Sequence, residues 1–420
     1  MSESAPRHIT RRLTQAEADQ VCAKHDRLFS SKPGGARAVF AWADLSGLDL
    51  SGKNLCDADF TGAVLADCKL TRTRLDNATL FGADLQGADL VEASLRRADL
   101  RGACLRNANL TGADLFESDL REGVLAAADP RLGFRRIEAG GAARPGEVGG
   151  AILRGANLER SKLSGVMAVR ADFTDAVLKD ARLVRANLKQ ASMKGANLSG
   201  ADLSGADLQG ADLRDAVLVG AKTTSWNVST ANMTGALTDQ SASQVAQTLP
   251  YKTMIDDHAR WCESGGASGK PSVFDAADLR ALVSVRGYNL TALSGRGTVF
   301  YGLDMEGVQL QGAHLEGADL RNCNLRRADL RGAKLNGAKL SGSDLREAHL
   351  GPLLLGPQRV LPCNLTGAEL KNVDFSGADL QHAIFDESDV SRSNFTGAQL
   401  RQVSFMGVTR HGARGLDEII

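Results

Sequence analysis

The chain has 420 residues, and its 50 Lys+Arg are matched by 50 Asp+Glu to give a formal net charge of zero. That balance argues against a nucleic-acid binder, which carries a basic excess, and against a uniformly acidic surface. Aromatics make up only 5% of residues, too few for a large core built on aromatic anchors, while 45 glycines and a visible recurrence of Leu, Ala and Asp call for a search for repeats.

No apolar run approaches the roughly 18 residues needed to span a bilayer. The opening Met1-Ser2-Glu3-Ser4-Ala5-Pro6 lacks the charged start and apolar stretch of a signal peptide. Seven cysteines, at 22, 56, 68, 104, 262, 323 and 363, form no CxxC pair, which argues against a disulfide framework or a zinc site. The expectations are cytoplasmic residence, with export lacking a cleavable signal left open, and no cofactor or metal.

The first predicted element is a cap helix. Val21, Cys22, His25, Leu28 and Phe29 follow i, i+1, i+4, i+7, i+8, the apolar stripe of an amphipathic helix, and Thr14-x-x-Glu17 opens it with a capping box. From Leu45 to Leu125 every fifth residue is Leu or Phe, 17 positions in all. A small residue, most often Ala, stands two places before each centre, Asp or Asn between them, and Gly commonly two places after. A period of five suits neither a continuous helix nor a continuous strand. Within one unit, however, the small residue and the Leu are two apart and face the same side of a short strand, and the rest can form a turn where Gly makes positive φ cheap. Repetition closes the chain into stacked coils lined inside by Leu and Ala, each completed only by its neighbours.

The segment 129–149 breaks the pattern with Pro130, Pro145, five Gly and four Arg, and is expected to project from the wall as a loop. A second block runs from Leu153 to Met233, again 17 centres, of which Ala168 and Thr223 deviate. Met254, Ile255, His258, Trp261 and Cys262 then repeat the spacing of the first helix, and Val273-Phe274-Asp275-Ala276-Ala277-Asp278-Leu279 echoes Val39-Phe40-Ala41-Trp42-Ala43-Asp44-Leu45. A third block holds 24 positions from Leu290 to Phe405, and the stretch around Gly351–Pro357 keeps phase without the motif, either a distorted coil or a ten-residue bulge. Open coil ends expose strand edges, and an amphipathic helix covers one. The reading is an internal duplication: 1–39 tail and cap helix, 40–238 first repeat coil, 239–272 second helical cap and linker, 273–408 second repeat coil, 409–420 tail.

Candidate chemistry is sparse. His25 and His258 occupy equivalent places, which points to a shared structural role at the caps. His314 and His349 are seven units apart and belong on different faces. Asp202, Asp207 and Asp212 sit on successive faces, so their expected work is hydrogen bonding to local turn backbone. Cys68, Cys323 and Cys363 fill the small-residue slot as compact hydrophobes. No nucleotide-binding, nucleophile-elbow or kinase motif appears, and an enzyme is not expected.

The units Ala83-Asp84-Leu85-Gln86-Gly87, Ala201-Asp202-Leu203-Ser204-Gly205 and Ala318-Asp319-Leu320-Arg321-Asn322 resemble those of the pentapeptide-repeat family. The resemblance covers most of the chain. It implies an all-β solenoid, a four-sided, right-handed parallel β-helix with four units per coil, here with short α-helical caps. Some relatives of this fold resemble duplex DNA in width and acidity and bind DNA gyrase, and in such relatives projecting loops contribute to activity. That makes Phe134, Arg135 and Arg136 in the 129–149 loop candidate partner contacts. Mimicry of a duplex needs about one charge per 1.7 Å, and only the first block leans acidic, with 9 basic and 14 acidic residues over 41–128. The stretch His258-Ala259-Arg260-Trp261, with Glu263-Ser264-Gly265-Gly266 before a repeat block, is similar to bacterial pentapeptide proteins found near type VI secretion genes. The leading expectation is a non-enzymatic scaffold or adaptor of bacterial type. It would bind an unidentified protein through its faces and the 129–149 loop. A gyrase or topoisomerase modulator and a secretion-system accessory protein or effector are the alternatives; direct nucleic-acid binding is not expected, and homodimerisation is left open.

Overall fold

The computed structural model describes residues 11–123, 126–129, 133–136, 144–239, 250–356 and 359–416, with backbone alone at 126–129 and 133–136. In it, the residue before each Leu centre bridges in parallel to the residue twenty positions on: Asp44 to Val64, Val64 to Asp84, Asp84 to Cys104. Twenty residues are four units, so each coil has four short sides, and like sides stack about 4.8 Å apart.

The hydrogen bonds explain the period. The Leu45 N–H donates to the Val64 carbonyl at 2.8 Å and the Gly47 N–H to the Ala66 carbonyl at 2.9 Å, both on the next coil. Within a coil the Ala43 N–H donates back to the Phe40 carbonyl at 3.0 Å, closing a β-turn at the corner. The second turn residue is left-handed, and Gly is only the commonest solution: Asp57, Arg72, Asn77 and Glu92 hold φ of 56–58° in the same place. Leu centres and small residues point inward, and Leu45, Leu50, Ala58 and Ala63 are wholly buried. At some small slots that carry a hydroxyl, the preceding coil accepts it. The Thr73 hydroxyl donates to the Leu50 carbonyl at 2.8 Å, and the Ser343 hydroxyl to that of Leu320 at 2.6 Å.

The chain divides into two compact units, 1–239 and 240–420. In the first, β1 (Arg11–Arg12) pairs in parallel with β2 (Ala43–Asp44), and helix α1 (Gln15–Phe29) carries the capping box of Thr14 and Glu17. The buried line of α1 is Ala18, Cys22 and His25.

At the first insertion Cys104 bridges Glu147, 43 positions on in place of 20. The ladder therefore resumes at Glu147, inside the stretch expected to be loop. Val148 takes the centre slot that the five-fold count gives to Leu125, which lies outside the described residues. Close approach selects this restart. A Cβ on Gly146 would stand 1.9 Å from the carbonyl oxygen of Leu120, the preceding centre of the same coil, so only glycine fits at that corner. The insertion leaves through an antiparallel bridge of Gly123 with Arg144 and continues as a hairpin of β3 (Ala126–Asp129) with β4 (Gly133–Arg136).

In the second unit, α2 (Tyr251–Glu263) buries Tyr251, Ile255, His258 and Ala259. Val273 and Asp278 bridge residues 21 positions on, and a 3₁₀ turn at Arg280–Leu282, with Val283 at φ 59°, absorbs the extra residue before Ser284 pairs with Asp304 at the usual spacing. The motif-poor stretch is the inserted bulge: Lys334 bridges Asn364, thirty positions on, and the excess forms a hairpin of β5 (Leu353–Gly356) with β6 (Arg359–Leu361). The ladder runs past position 408 to Arg414, which bridges Asn394.

Candidate functional site

The outward carboxylates are engaged in the turns. Asp44 Oδ1 accepts the Ser46 N–H at 2.9 Å and its hydroxyl at 2.6 Å, and Asp202 and Asp207 accept the N–H two residues on at 3.1 and 3.2 Å. These bonds hold the carboxyls below the ordinary range: for Asp44 through the Ser46 hydroxyl and then its N–H, for Asp202 through Ser204. For Asp207 burial pulls upward and is outweighed by the Gln209 N–H and Lys189.

Where Asp precedes a Leu centre and Arg follows it, the Arg closes on that Asp. Arg214 donates its backbone N–H and Nε to Asp212 Oδ1 at 3.1 and 2.9 Å, and its terminal nitrogen to Oδ2 at 2.6 Å. The same clamp joins Arg101 to Asp99, Arg121 to Asp119, Arg331 to Asp329 and Arg346 to Asp344. In Arg321–Asp319 the two side chains are only 7% and 11% exposed. The sequence signal of the clamp is Asp-Leu-Arg.

The cap histidines share one geometry. His25 Nδ1 accepts the Ala38 N–H and His258 Nδ1 the Ser272 N–H, each at 3.0 Å. The other His258 nitrogen lies 3.2 Å from the Thr291 carbonyl, and burial lowers the pKa of its ring. Both histidines pin the chain where it leaves the helix for the first coil. His314 and His349 lie on different sides, bridging Lys334 and Asp379 respectively. The Cys68 thiol donates to the Leu45 carbonyl at 2.8 Å, and burial pushes it up to about 11. Burial also raises the Cys323 and Cys363 thiols.

The sequence-derived contacts Phe134, Arg135 and Arg136 fall on β4, opposite Ala128, Ala127 and Ala126; their side chains lie outside the described residues. The second hairpin, β5–β6, carries no motif. It is distinguished only by exposure, with Leu354 71%, Leu355 51% and Val360 51% accessible. Among the described residues no group of three His, Cys, Asp or Glu converges on a common point, and no helix is long and apolar enough to cross a membrane.

Four five-residue units per coil, with parallel ladders between coils and hairpins inserted into the wall, define a five-residue repeat solenoid. The profile of the family described as pentapeptide repeats matches residues 38–77, 73–115, 149–180, 181–220, 313–350 and 363–402, more than half of the chain. The chain belongs to that family. Among solved structures it is similar to HetL, a pentapeptide repeat protein involved in heterocyst differentiation regulation from the cyanobacterium Nostoc sp. strain PCC 7120. There the identity is 23% over 84% of this chain and 92% of that one, with a TM-score of 0.16. It is similar to Rfr23 from the cyanobacterium Cyanothece 51142, at 29% identity over 34% of this chain and 88% of that one, with a TM-score of 0.21. It is also similar to QnrB1, a plasmid-mediated fluoroquinolone resistance protein, at 18% identity over 50% of this chain and 92% of that one, with a TM-score of 0.23. A search of curated proteins gives no match.

Proposed function

We propose that this chain is a non-enzymatic, cytoplasmic scaffold, a right-handed β-helix that presents hairpins and flat faces to a partner protein. The right hand is the one that parallel strand connections adopt. The observation that carries the reading is the placement of the insertions. The coil stays in register on both sides of each, Cys104 to Glu147 and Lys334 to Asn364, so the hairpins are inserted without interrupting the ladder. Side chains with catalytic potential are meanwhile committed to turns and caps, and extended solenoid surfaces suit protein recognition. The test is affinity capture with the full chain from its native cell, repeated with residues 126–136 replaced by a short Gly-Ser turn and, separately, with β5–β6 excised. A scaffold of this kind retains a partner that at least one excision releases; an empty or unchanged set of partners contradicts it.

The gyrase-modulator alternative finds less support. Five of its 14 acidic residues are paired with arginine, in Arg72–Glu92, Arg96–Asp114, Arg97–Glu117, Arg101–Asp99 and Arg121–Asp119. A supercoiling assay with purified gyrase that shows neither inhibition nor protection removes it. The secretion-accessory alternative rests on the cap motif alone.

A further inference from the structure

The β5–β6 hairpin is amphipathic in a way that a spacer has no reason to be. Its underside is seated: Leu353 and Leu361 lie over Gly332, where an added Cβ would come within 2.7 Å of the Leu353 Cβ and 3.2 Å of the Leu361 carbonyl oxygen. Gly312, one coil earlier, has the end of Leu353 3.6 Å from its Cβ position. The wall is thus bare of side chains where the hairpin rests, which fixes its orientation. Pro352 and Pro362 flank it, with restricted φ and no N–H to donate. Leu354 and Val360, paired across the two strands and facing away from Leu353 and Leu361, are 71% and 51% exposed, and Leu355, in the irregularity between Leu354 and Gly356, is 51% exposed. A pre-ordered element of this kind loses little conformational freedom on docking.

Charge and area narrow the occupant. The inserted stretch 352–362 contains Arg359 and no acidic residue. Lys334, bridging Asn364 where the coil resumes, is a second cation, and neither has a carboxylate in ion-pair reach among the described residues. Asp379 stands at the other root, beside Gly351. Two copies meeting hairpin to hairpin would oppose like charges. Three exposed aliphatic side chains also amount to roughly a few hundred Å² at most, against about 800 Å² per partner in a standard interface.

We propose that β5–β6 is the anchor by which this chain docks a protein that offers an apolar cleft bordered by carboxylates. Leu354, Leu355 and Val360 fill the cleft, and Arg359 and Lys334 meet its rim. The proposal rests on the scaffold reading and assigns it a contact surface distinct from β3–β4.

The experiment places a photo-crosslinking amino acid at position 355 of the full chain in its native cell, purifies the crosslinked protein, and titrates it against purified variants. Leu354→Ser with Leu355→Ser is expected to weaken binding about a hundredfold. Arg359→Glu is expected to weaken it about tenfold, with a shallower dependence on salt. Both variants alter exposed positions, so unchanged unfolding midpoints are expected to show that the coil is intact. Wild-type affinity in the double variant overturns the proposal, as do crosslinks confined to a second copy or to lipid. If that affinity is lost on removing β3–β4 instead, the scaffold reading stands and the anchor fails; if no protein crosslinks or binds at all, both fail.

Discussion

Gly146→Ala is the sharpest test of how the first insertion joins the coil. The new Cβ would stand 1.9 Å from the Leu120 carbonyl oxygen and 3.0 Å from its carbon, where ordinary contact begins at 3.4 Å. Both partners are backbone and cannot rotate away, so the corner between Leu120 and Gly146, on adjacent sides of one coil, must open by about 1.5 Å, beyond what close-packed interiors absorb without strain. Leu120 is 1% exposed, and its N–H donates to the Lys162 carbonyl at 2.8 Å; the Gly146 carbonyl accepts from the Met167 N–H at 2.9 Å. Overpacking costs about 1–3 kcal/mol, and loosening two ladder bonds adds about 1 kcal/mol each, so a loss of about 3–5 kcal/mol is expected. Gly149→Ala is the control: its nearest atom outside the chain neighbours is the Val169 carbonyl oxygen at 3.6 Å, and the expected change is within about 0.5 kcal/mol. Repeat arrays depart from two-state unfolding, so urea midpoints should be paired with hydrogen exchange over 104–120 and 147–167. Equal effects of the two substitutions would refute the restart of the ladder at Glu147.

Two further outcomes follow from the caps and clamps. His258 is neutral in the fold with a depressed pKa, so its contribution is whole above its ordinary pKa of about 6.5 and is lost as pH falls from there toward the lower folded value. Hydrogen-exchange protection of 251–263 is therefore expected to fall with acidification and to flatten in His258→Gln; a pH-independent wild type would contradict this. Arg321→Ala strands Asp319 in a nearly buried site and is expected to cost about 3–5 kcal/mol, whereas Arg214→Ala, in a pair 47% and 28% exposed, is expected to cost at most about 1 kcal/mol. Chemical denaturation of both variants decides, and equal losses would remove the distinction.

The repeat itself was legible because Leu at every fifth position has no other structural meaning over so many units. What the five-residue count could not supply was contact between residues one coil apart. Asp175 and Gly195 illustrate this. The Asp side chain folds over the turn above, so a Cβ on Gly195 would come 2.5 Å from Asp175 Oδ1, and the pairs Asp180–Gly200, Asp215–Gly235 and Asn322–Gly342 repeat the arrangement. The coupling becomes visible only once the coil is known to be twenty residues long. At Leu125 the five-residue phase continues in the sequence, but the ladder places Gly146 and Val148 after Leu120 in that coil, a jump that a local pattern cannot locate. The lapse of the motif around Gly351–Pro357 marks the β5–β6 hairpin in the sequence. Its apolar outer surface depends on Gly312 and Gly332 lying beneath the other side, a placement fixed by the thirty-residue step from Lys334 to Asn364.

The twenty-residue coil is what brings these residues together, and paired cysteines test it most directly. Arg182→Cys with Asp202→Cys joins two bridged positions at a spacing of about 4.8 Å, within the Cα separation a disulfide accepts. Asn187→Cys with Asp202→Cys joins positions fifteen apart, on different sides of the coil; Asn187 bridges Asp207 instead. Mild oxidation followed by non-reducing mass spectrometry is expected to show the first disulfide forming nearly completely and the second not at all. A crosslink in the second pair, or none in the first, would contradict four units per coil.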